Sequence, residues 1–196
     1  RPGPSERRLA LELQSALVDQ DVEPAFATIM ASGPSAACPH AVPCSRPLSE
    51  GDMLKIDMGA RFEGYCSDIT RTLFVGEPTE RFRAIYNLVL QAQQAAVAAA
   101  RPGLTGRELD QVARDIIAAG GHGNDFDHGL GHGVGLQVHE DPRVSAKSED
   151  VLEPGMVVTI EPGIYLEGWG GVRIEDTVLI TATGSEVLTQ SPKADY

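Results

Sequence analysis

Two stretches of the 196-residue chain resemble each other, and each presents two acidic side chains. The segment LSEGDMLKIDMG around Asp57 is matched by LEPGMVVTIEPG around Glu161. Further along each half, Asp68 in SDIT corresponds to Glu175 in IEDT. Because carboxylates are the side chains that bind hard divalent cations, a repeat that supplies two pairs of them indicates a two-metal site.

A histidine-rich segment, HGLGHGVGLQVHE, lies between the two acidic pairs and has His132 near its centre. Four carboxylates and one imidazole suit manganese, cobalt or iron better than a thiolate zinc site, with zinc as a further alternative. Without cations, four close carboxylates would repel one another and raise each other's pKa. Two divalent ions would balance this charge, and manganese is the first choice.

The first acidic pair is expected on a β-hairpin that joins residues 56–62 to residues 65–75 through the turn Glu63-Gly64. A symmetric register pairs position 57 with position 70 and position 59 with position 68. Since alternate residues of a strand share a face, Asp57 and Asp68 then lie on the same side of the sheet. Their backbones would be roughly 7–8 Å apart, close enough for the carboxylates to converge.

The second half is expected to repeat this hairpin with residues 156–161 and 171–180 around a glycine-rich turn. Glu161 and Glu175 are equidistant from Gly168, so a symmetric register sets them opposite each other. Arg173 lies two positions before Glu175 on the same strand face, which lets its guanidinium stand beside that carboxylate.

Three helices are predicted, over residues 5–20, 80–100 and 105–119, from apolar residues at helical spacing. Thr105 and Glu108 form the sequence pattern of a capping box at the start of the third. Helices combined with repeated hairpins predict an α+β fold. We expect one domain over residues 1–196, with halves of about 1–100 and 101–196 and the site where they meet.

Composition narrows the functional classes. A formal charge of -12 and a pI near 4.7 argue against nucleic-acid binding. No apolar run is long enough to span a membrane, and the first residues do not form a signal peptide. The three cysteines, Cys38, Cys44 and Cys66, form no paired motif and are expected to be reduced. These features predict a cytoplasmic protein.

Three motifs resemble the metallopeptidases of the pita-bread fold, which include methionyl aminopeptidases, aminopeptidase P and prolidase. They are GYCSDITRT around Asp68, HGLGH ending at His132 and GVRIED around Glu175. The similarity runs from Pro2 to Val178, and the motifs point to the branch specific for Xaa-Pro bonds. The resemblance implies a curved antiparallel sheet covered by helices, in two pseudo-symmetric halves.

The resemblance also implies five metal ligands, with the second and last of them bridging two divalent ions: Asp57, Asp68, His132, Glu161 and Glu175. Two such ions activate a water molecule at neutral pH, and Glu161 would accept its proton. The substrate would be a peptide with proline at its second position.

Four further residues gain roles from the resemblance. His40, His128 and His139 would bind substrate and handle protons, with His139 stabilising the oxyanion. Arg173 would orient Glu175 or bind a substrate carboxylate. Taken without the resemblance, His40 and His128 could instead hold loop backbone, and Arg173 could form a structural ion pair. Tyr65 and His128 are candidate walls for a proline pocket.

Two other functions stay open. Methionyl aminopeptidase activity is the enzymatic alternative, although VRIED around Arg173 disfavours it. An inactive, peptide-binding pita-bread fragment is the non-catalytic alternative. Relatives carry an N-terminal helix or domain that is expected to be absent here, and a homodimer is one assembly to test.

Overall fold

The structure is a computed structural model that describes residues 3–196, so Pro2, where the expected resemblance begins, lies outside the described residues. Three α-helices are present: α1 (Glu6–Val18), α2 (Glu80–Ala99) and α3 (Gly106–Ala119). Each helix begins where the sequence predicts, because a hydroxyl side chain caps it: Ser5, Thr79 and Thr105 each accept a hydrogen bond from a backbone N–H of the first turn. The Thr105–Glu108 capping box is also formed.

Between and after the helices lie short strands that pair only in the antiparallel sense within residues 3–196. They are β1 (Glu23–Pro24), β2 (Ile29–Ser32), β3 (Met53–Met58), β4 (Ala60–Phe62), β5 (Tyr65–Cys66), β6 (Ile69–Phe74), β7 (Gly131–Gly133), β8 (Glu140–Val144), β9 (Val157–Ile160), β10 (Gly163–Leu166), β11 (Gly170–Arg173), β12 (Asp176–Ile180) and β13 (Ser185–Val187). The sheet orders are β2-β3-β6, β1-β4-β5, β10-β11 and β13-β12-β9-β7-β8. The α+β class and the antiparallel sheets are as expected.

The first hairpin has the register predicted from its turn. Asp57 pairs with Thr70, and Phe62 pairs with Tyr65. Glu63 and Gly64 form the two-residue turn with φ angles of 49° and 89°. Positive φ at both positions is what a tight hairpin turn needs to match the twist of its strands. The hairpin differs from prediction in being split into the β3–β6 and β4–β5 pairings, with Gly59 and Asp68 in the gap between them, and in beginning at Met53 rather than at residue 56. The pairings on both sides of the gap keep the predicted register, and Asp57 and Asp68 line the same cavity.

The second hairpin is also symmetric about Gly168. Gly163 pairs with Arg173 in β10 and β11, and Ile160 pairs with Asp176 in β9 and β12. Glu161 and Glu175 occupy the intervening positions, where the chain passes from one sheet to the next. The register keeps them across from each other, as the spacing predicts.

The core lies between the two long helices and the sheets. Helix α2 buries one face at helical spacing, and α3 packs beside it with a second apolar face. Burial of each large side chain stabilises the fold by about 1.5–3 kcal/mol. The fully or nearly buried residues of these faces include Phe82, Ile85, Tyr86, Val89, Leu109, Ala113 and Ile117.

The two halves join along β6 and the strands on either side of Glu175. The Glu175 backbone N–H donates to the Thr70 carbonyl at 3.1 Å, and Thr72 Oγ1 donates to the Arg173 carbonyl at 2.9 Å. Arg71 adds a buried ion pair to Asp176 at 2.8 Å. These contacts place the acids of both hairpins at one junction.

Among residues 3–196, no helix combines the length and the apolar character that a membrane span requires.

Candidate metal centre

A cavity of about 620 Å³ opens at this junction and brings the residues of the two hairpins together with the histidine-rich segment. All the side chains predicted as ligands and all the predicted substrate-binding residues line it: His40, Asp57, Asp68, His128, His132, His139, Glu161, Arg173 and Glu175. The apolar part of the wall comes from Phe26, Ala27, Ile29, Ala41, Val42 and Val138.

Three of the predicted ligands converge most closely. The ligand atoms of Asp68, His132 and Glu175 all lie within 4.8 Å of one another. His132 Nε2 is 3.8 Å from Asp68 Oδ2 and 3.2 Å from Glu161 Oε1. His132 Nδ1 lies 3.0 Å from the Gly133 carbonyl, a contact that keeps a proton on Nδ1 and turns Nε2 toward the acids.

The backbone of this segment explains why glycines flank His132. A Cβ added at Gly131 would lie 2.0 Å from the Thr159 carbonyl oxygen. Only glycine therefore lets β7 approach β9 closely enough for the His132 N–H to donate to Thr159 Oγ1, at 3.1 Å. The glycines bring the imidazole against the strand that leads to Glu161.

Two carboxylate oxygens in the cluster are buried without a hydrogen-bond partner, Asp57 Oδ1 and Glu175 Oε1. The other oxygen of Glu175 accepts a hydrogen bond from Thr70 Oγ1 at 2.6 Å. An orphaned buried oxygen costs free energy unless it binds a cation or a donor. Orphaned oxygens of two acids, beside an imidazole whose Nε2 faces the carboxylates, fit divalent cations.

The pKa values of the acids show that burial and mutual repulsion disfavour the ionised carboxylates when no cation is near. Burial, and then the charges of Asp57 and Glu161, raise the pKa of Asp68 to about 8. Burial and the neighbouring Asp68 raise the pKa of Glu175 well above its usual range. Burial also acts to raise the pKa of Glu161, but its hydrogen bond with His132 and the charge of Arg173 outweigh this and lower it.

Arg173 reaches the Glu175 side chain only through the Thr70 hydroxyl. Its guanidinium does not hydrogen-bond to the Glu175 side chain: it forms an ion pair with Asp57 and donates through Nε to Thr70 Oγ1 at 3.0 Å. Its Nη1 donates to the Tyr165 hydroxyl at 3.0 Å. The side chain is 3% exposed, and its donors are engaged by acceptors of the protein although it lines the cavity. The ion pair of the competing interpretation is therefore present, and the role of Arg173 toward substrate stays a prediction.

The three other histidines take different positions on the wall. His40 and His139 are exposed to the cavity, and the His139 ring centroid lies 4.2 Å from that of His132. His128 is partly engaged, with Nδ1 2.7 Å from the Gly129 carbonyl and Nε2 2.8 Å from the Tyr165 hydroxyl. Burial lowers the pKa of His128, and burial followed by the charge of His132 lowers that of His139.

Sequence reasoning placed one residue wrongly and missed others. Tyr65 is exposed on the hairpin tip and lies outside this cavity, so it does not form a wall of it. Tyr165, which no motif marked, contacts His128 instead, and burial raises its pKa to about 12. Arg143 presents an exposed guanidinium at the cavity. In the sequence, Arg143 was marked only by its position four residues after His139.

The chain belongs to metallopeptidase family M24, whose family model matches residues 1–182. An Xaa-Pro dipeptidase of Pyrococcus horikoshii is 52% identical over 192 residues, which are 97% of this chain and 55% of the relative. The solved Xaa-Pro dipeptidase from Bacillus anthracis has a TM-score of 0.97 and 49% identity, covering 99% of this chain and 55% of that one. An X-Pro aminopeptidase from Thermotoga maritima gives a TM-score of 0.96 and 42% identity, covering 99% of this chain and 55% of that one.

These matches confirm the pita-bread class of fold and the metallopeptidase family. The chain spans about half the length of the relatives it matches, as the 55% coverage of the dipeptidase from Pyrococcus horikoshii shows.

Proposed function

We propose that this chain is the catalytic unit of a binuclear metallopeptidase that cleaves Xaa-Pro bonds, with Xaa-Pro dipeptides as its first substrate class. The observation that carries the proposal is the convergence of Asp68, His132 and Glu175 within 4.8 Å at the cavity, beside buried carboxylate oxygens that lack partners. Membership of a metallopeptidase family and Xaa-Pro dipeptidase relatives at 52% identity support it.

In this proposal two divalent ions would be held by the five predicted ligands, Asp57, Asp68, His132, Glu161 and Glu175. Manganese is the first choice of metal, and cobalt, zinc and iron are alternatives, since the donors are mostly oxygen. When bound, the ions supply Lewis acidity that allows water to act as a nucleophile near neutral pH.

The chain's own groups divide the remaining work. Glu161 is the proton acceptor, because its lowered pKa keeps it ionised at neutral pH and Oε1 faces His132 at 3.2 Å. His139 stands beside His132 with its ring open to the cavity, where it can stabilise negative charge on the substrate carbonyl. His128 and His40 line the same cavity and hold the substrate there.

A dipeptide has a free carboxylate beside its proline ring, and a longer peptide does not. Arg143 offers an exposed guanidinium at the cavity, whereas Arg173 is fully engaged within the protein. We therefore assign Arg143 to the substrate carboxylate and Arg173 to holding Asp57. The assignment of Arg143 favours a dipeptidase over an aminopeptidase of longer chains.

The test uses protein loaded with manganese and given Gly-Pro-type dipeptides, Xaa-Pro tripeptides and Met-Ala peptides in parallel. Faster turnover of dipeptides is expected, with loss in a Glu161→Gln variant that still folds. Preference for the tripeptides would reassign the chain to aminopeptidase P activity. Release of methionine from Met-Ala would favour the methionyl aminopeptidase alternative.

Metal analysis separates the catalytic proposal from a peptide-binding role. Two ions per chain are expected after loading, and less than about one ion would favour the non-catalytic fragment. A homodimer and a cytoplasmic location complete the proposal. Light scattering tests the first, and the three free cysteines support the second because a reducing compartment keeps thiols unpaired.

A further inference from the structure

Lys55 is a fully buried lysine that the chemistry proposed above does not use. It lies on β3, two residues before Asp57 and on the same strand face. Its ammonium donates to three carbonyl oxygens, those of Ala36 at 3.1 Å, Cys38 at 2.7 Å and Pro39 at 3.2 Å. An ammonium has three donors, so all of them are satisfied by one short loop.

The loop held by Lys55 leads directly into His40. Arg173 Nη1 also donates to the Pro39 carbonyl, at 3.2 Å, so two buried cations fix the peptide that precedes the histidine. His40 itself is exposed and lines the substrate cavity. Its position on the wall is therefore set by its backbone rather than by contacts of its own ring.

The same ammonium also contacts Tyr165, the hydrogen-bonding partner of His128. Lys55 Nζ lies 5.0 Å from the centroid of the Tyr165 ring, and the Tyr165 hydroxyl is 2.8 Å from His128 Nε2. A cation over an aromatic face holds the ring in place. Lys55 thus contacts both the loop that precedes His40 and the Tyr165 ring whose hydroxyl contacts His128.

Stability alone is a poor reason for a charge at this position. An apolar side chain would fill a buried strand position without the cost of removing an ammonium from water. Two of the loop carbonyls, those of Ala36 and Cys38, accept a side-chain hydrogen bond from Lys55 alone, which ties the charge to the conformation of the loop.

We propose that Lys55 is a positioning residue, which clamps the 36–39 backbone and thereby sets His40 at the substrate-binding wall. The proposal rests on the proposed function and deepens it, since it names what places a substrate-binding group. Lys55 does not itself touch substrate.

The kcat/KM values of metal-loaded variants test whether Lys55 acts through His40. We expect Lys55→Met to lower kcat/KM for an Xaa-Pro dipeptide by roughly tenfold to a hundredfold, because small displacements of positioning groups are costly. The matched control, Lys147→Met at an exposed lysine, should change it less than twofold. In a His40→Ala background, Lys55→Met should cost less than a further threefold. Additive losses in the double variant would overturn the proposal.

A second measurement does not depend on activity. The His40 imidazole signal, assigned by its loss in His40→Ala, should shift or broaden in the NMR spectrum of Lys55→Met and stay unchanged in Lys147→Met. An unchanged His40 signal in folded Lys55→Met would overturn the clamp. If the wild-type chain shows no turnover, the proposed function fails while this spectrum still decides the role of Lys55.

Lys55→Gln is a second variant, which keeps the test possible if Lys55→Met does not fold. Its amide keeps donors toward the loop carbonyls on a shorter side chain, so the His40 signal and kcat/KM should fall between wild type and Lys55→Met. If Lys55→Gln folds and both readouts match wild type, a clamp by the ammonium is excluded.

Discussion

Arg173 forms a buried ion pair with Asp57, joining the second hairpin of the chain to the first. The two residues are 116 positions apart in sequence. The same guanidinium donates to Thr70 Oγ1, and Thr70 Oγ1 donates in turn to Glu175 Oε2. One arginine thereby fixes Asp57 directly and reaches Glu175 through a hydroxyl.

Replacing Arg173 with lysine should disrupt this network. A single ammonium cannot reproduce the planar set of donors that contacts Asp57, Thr70 and Tyr165. We expect metal affinity or kcat/KM to fall by about 10–100-fold, the usual effect of losing a partner that orients a ligand. Calorimetric metal titration and steady-state kinetics measure the two effects. Arg107→Lys, at an exposed ion pair, is the control and should behave like wild type.

Divalent metal should stabilise the fold because it offsets the repulsion among the buried acids. Manganese at about 100 times its dissociation constant should raise the free energy of unfolding by about 2.7 kcal/mol, and a chelator should reverse the gain. Thermal unfolding with and without metal gives the comparison. Glu175→Gln removes one of the converging carboxylates and should respond much less. Identical unfolding temperatures in the two conditions would contradict a metal site.

The Tyr165 hydroxyl couples His128 to Arg173. Tyr165→Phe removes a hydroxyl that lies 2.8 Å from His128 Nε2 and 3.0 Å from Arg173 Nη1. We expect a loss of about 0.5–1.5 kcal/mol in stability and a higher KM, because His128 loses the partner that holds its ring. Tyr65→Phe at the exposed hairpin tip should leave both quantities unchanged. Denaturant unfolding and initial rates report them.

Glu6, which does not line the cavity, should make the stability of the fold depend on pH. Burial acts to raise its pKa, but hydrogen bonds from Ser32, Ser35 and Cys44 outweigh this and lower it from 4.5. A lowered folded-state pKa gives stability that is present above pH 4.5 and lost as the pH falls through the folded value.

Glu6→Gln should therefore cost about 1–3 kcal/mol at neutral pH, and the difference from wild type should shrink in acid. Urea unfolding across the pH range measures it. Glu12→Gln serves as the comparison, because Glu12 is half exposed in a surface pair with Arg8. If the difference in the free energy of unfolding between Glu6→Gln and wild type does not shrink in acid, the carboxylate charge is not what stabilises this region.

The elements and registers were predictable because they depend on local chemistry. The turn Glu63-Gly64 sets the pairing of Asp57 with Thr70, and the symmetry about Gly168 sets Glu161 across from Glu175. Hydroxyl caps mark where the helices begin. Each feature follows from neighbouring residues and the fixed period of a strand or helix.

The sequence alone also indicated the converging acids, through the repeat, and His132, through the histidine-rich segment between the two acidic pairs. The tertiary structure decided what each side chain contacts. It turned Arg173 toward Asp57, placed Tyr165 rather than Tyr65 beside His128, and aimed Lys55 at the loop before His40. These contacts join segments far apart in the chain, and their geometry depends on how the two halves pack, which no local pattern encodes.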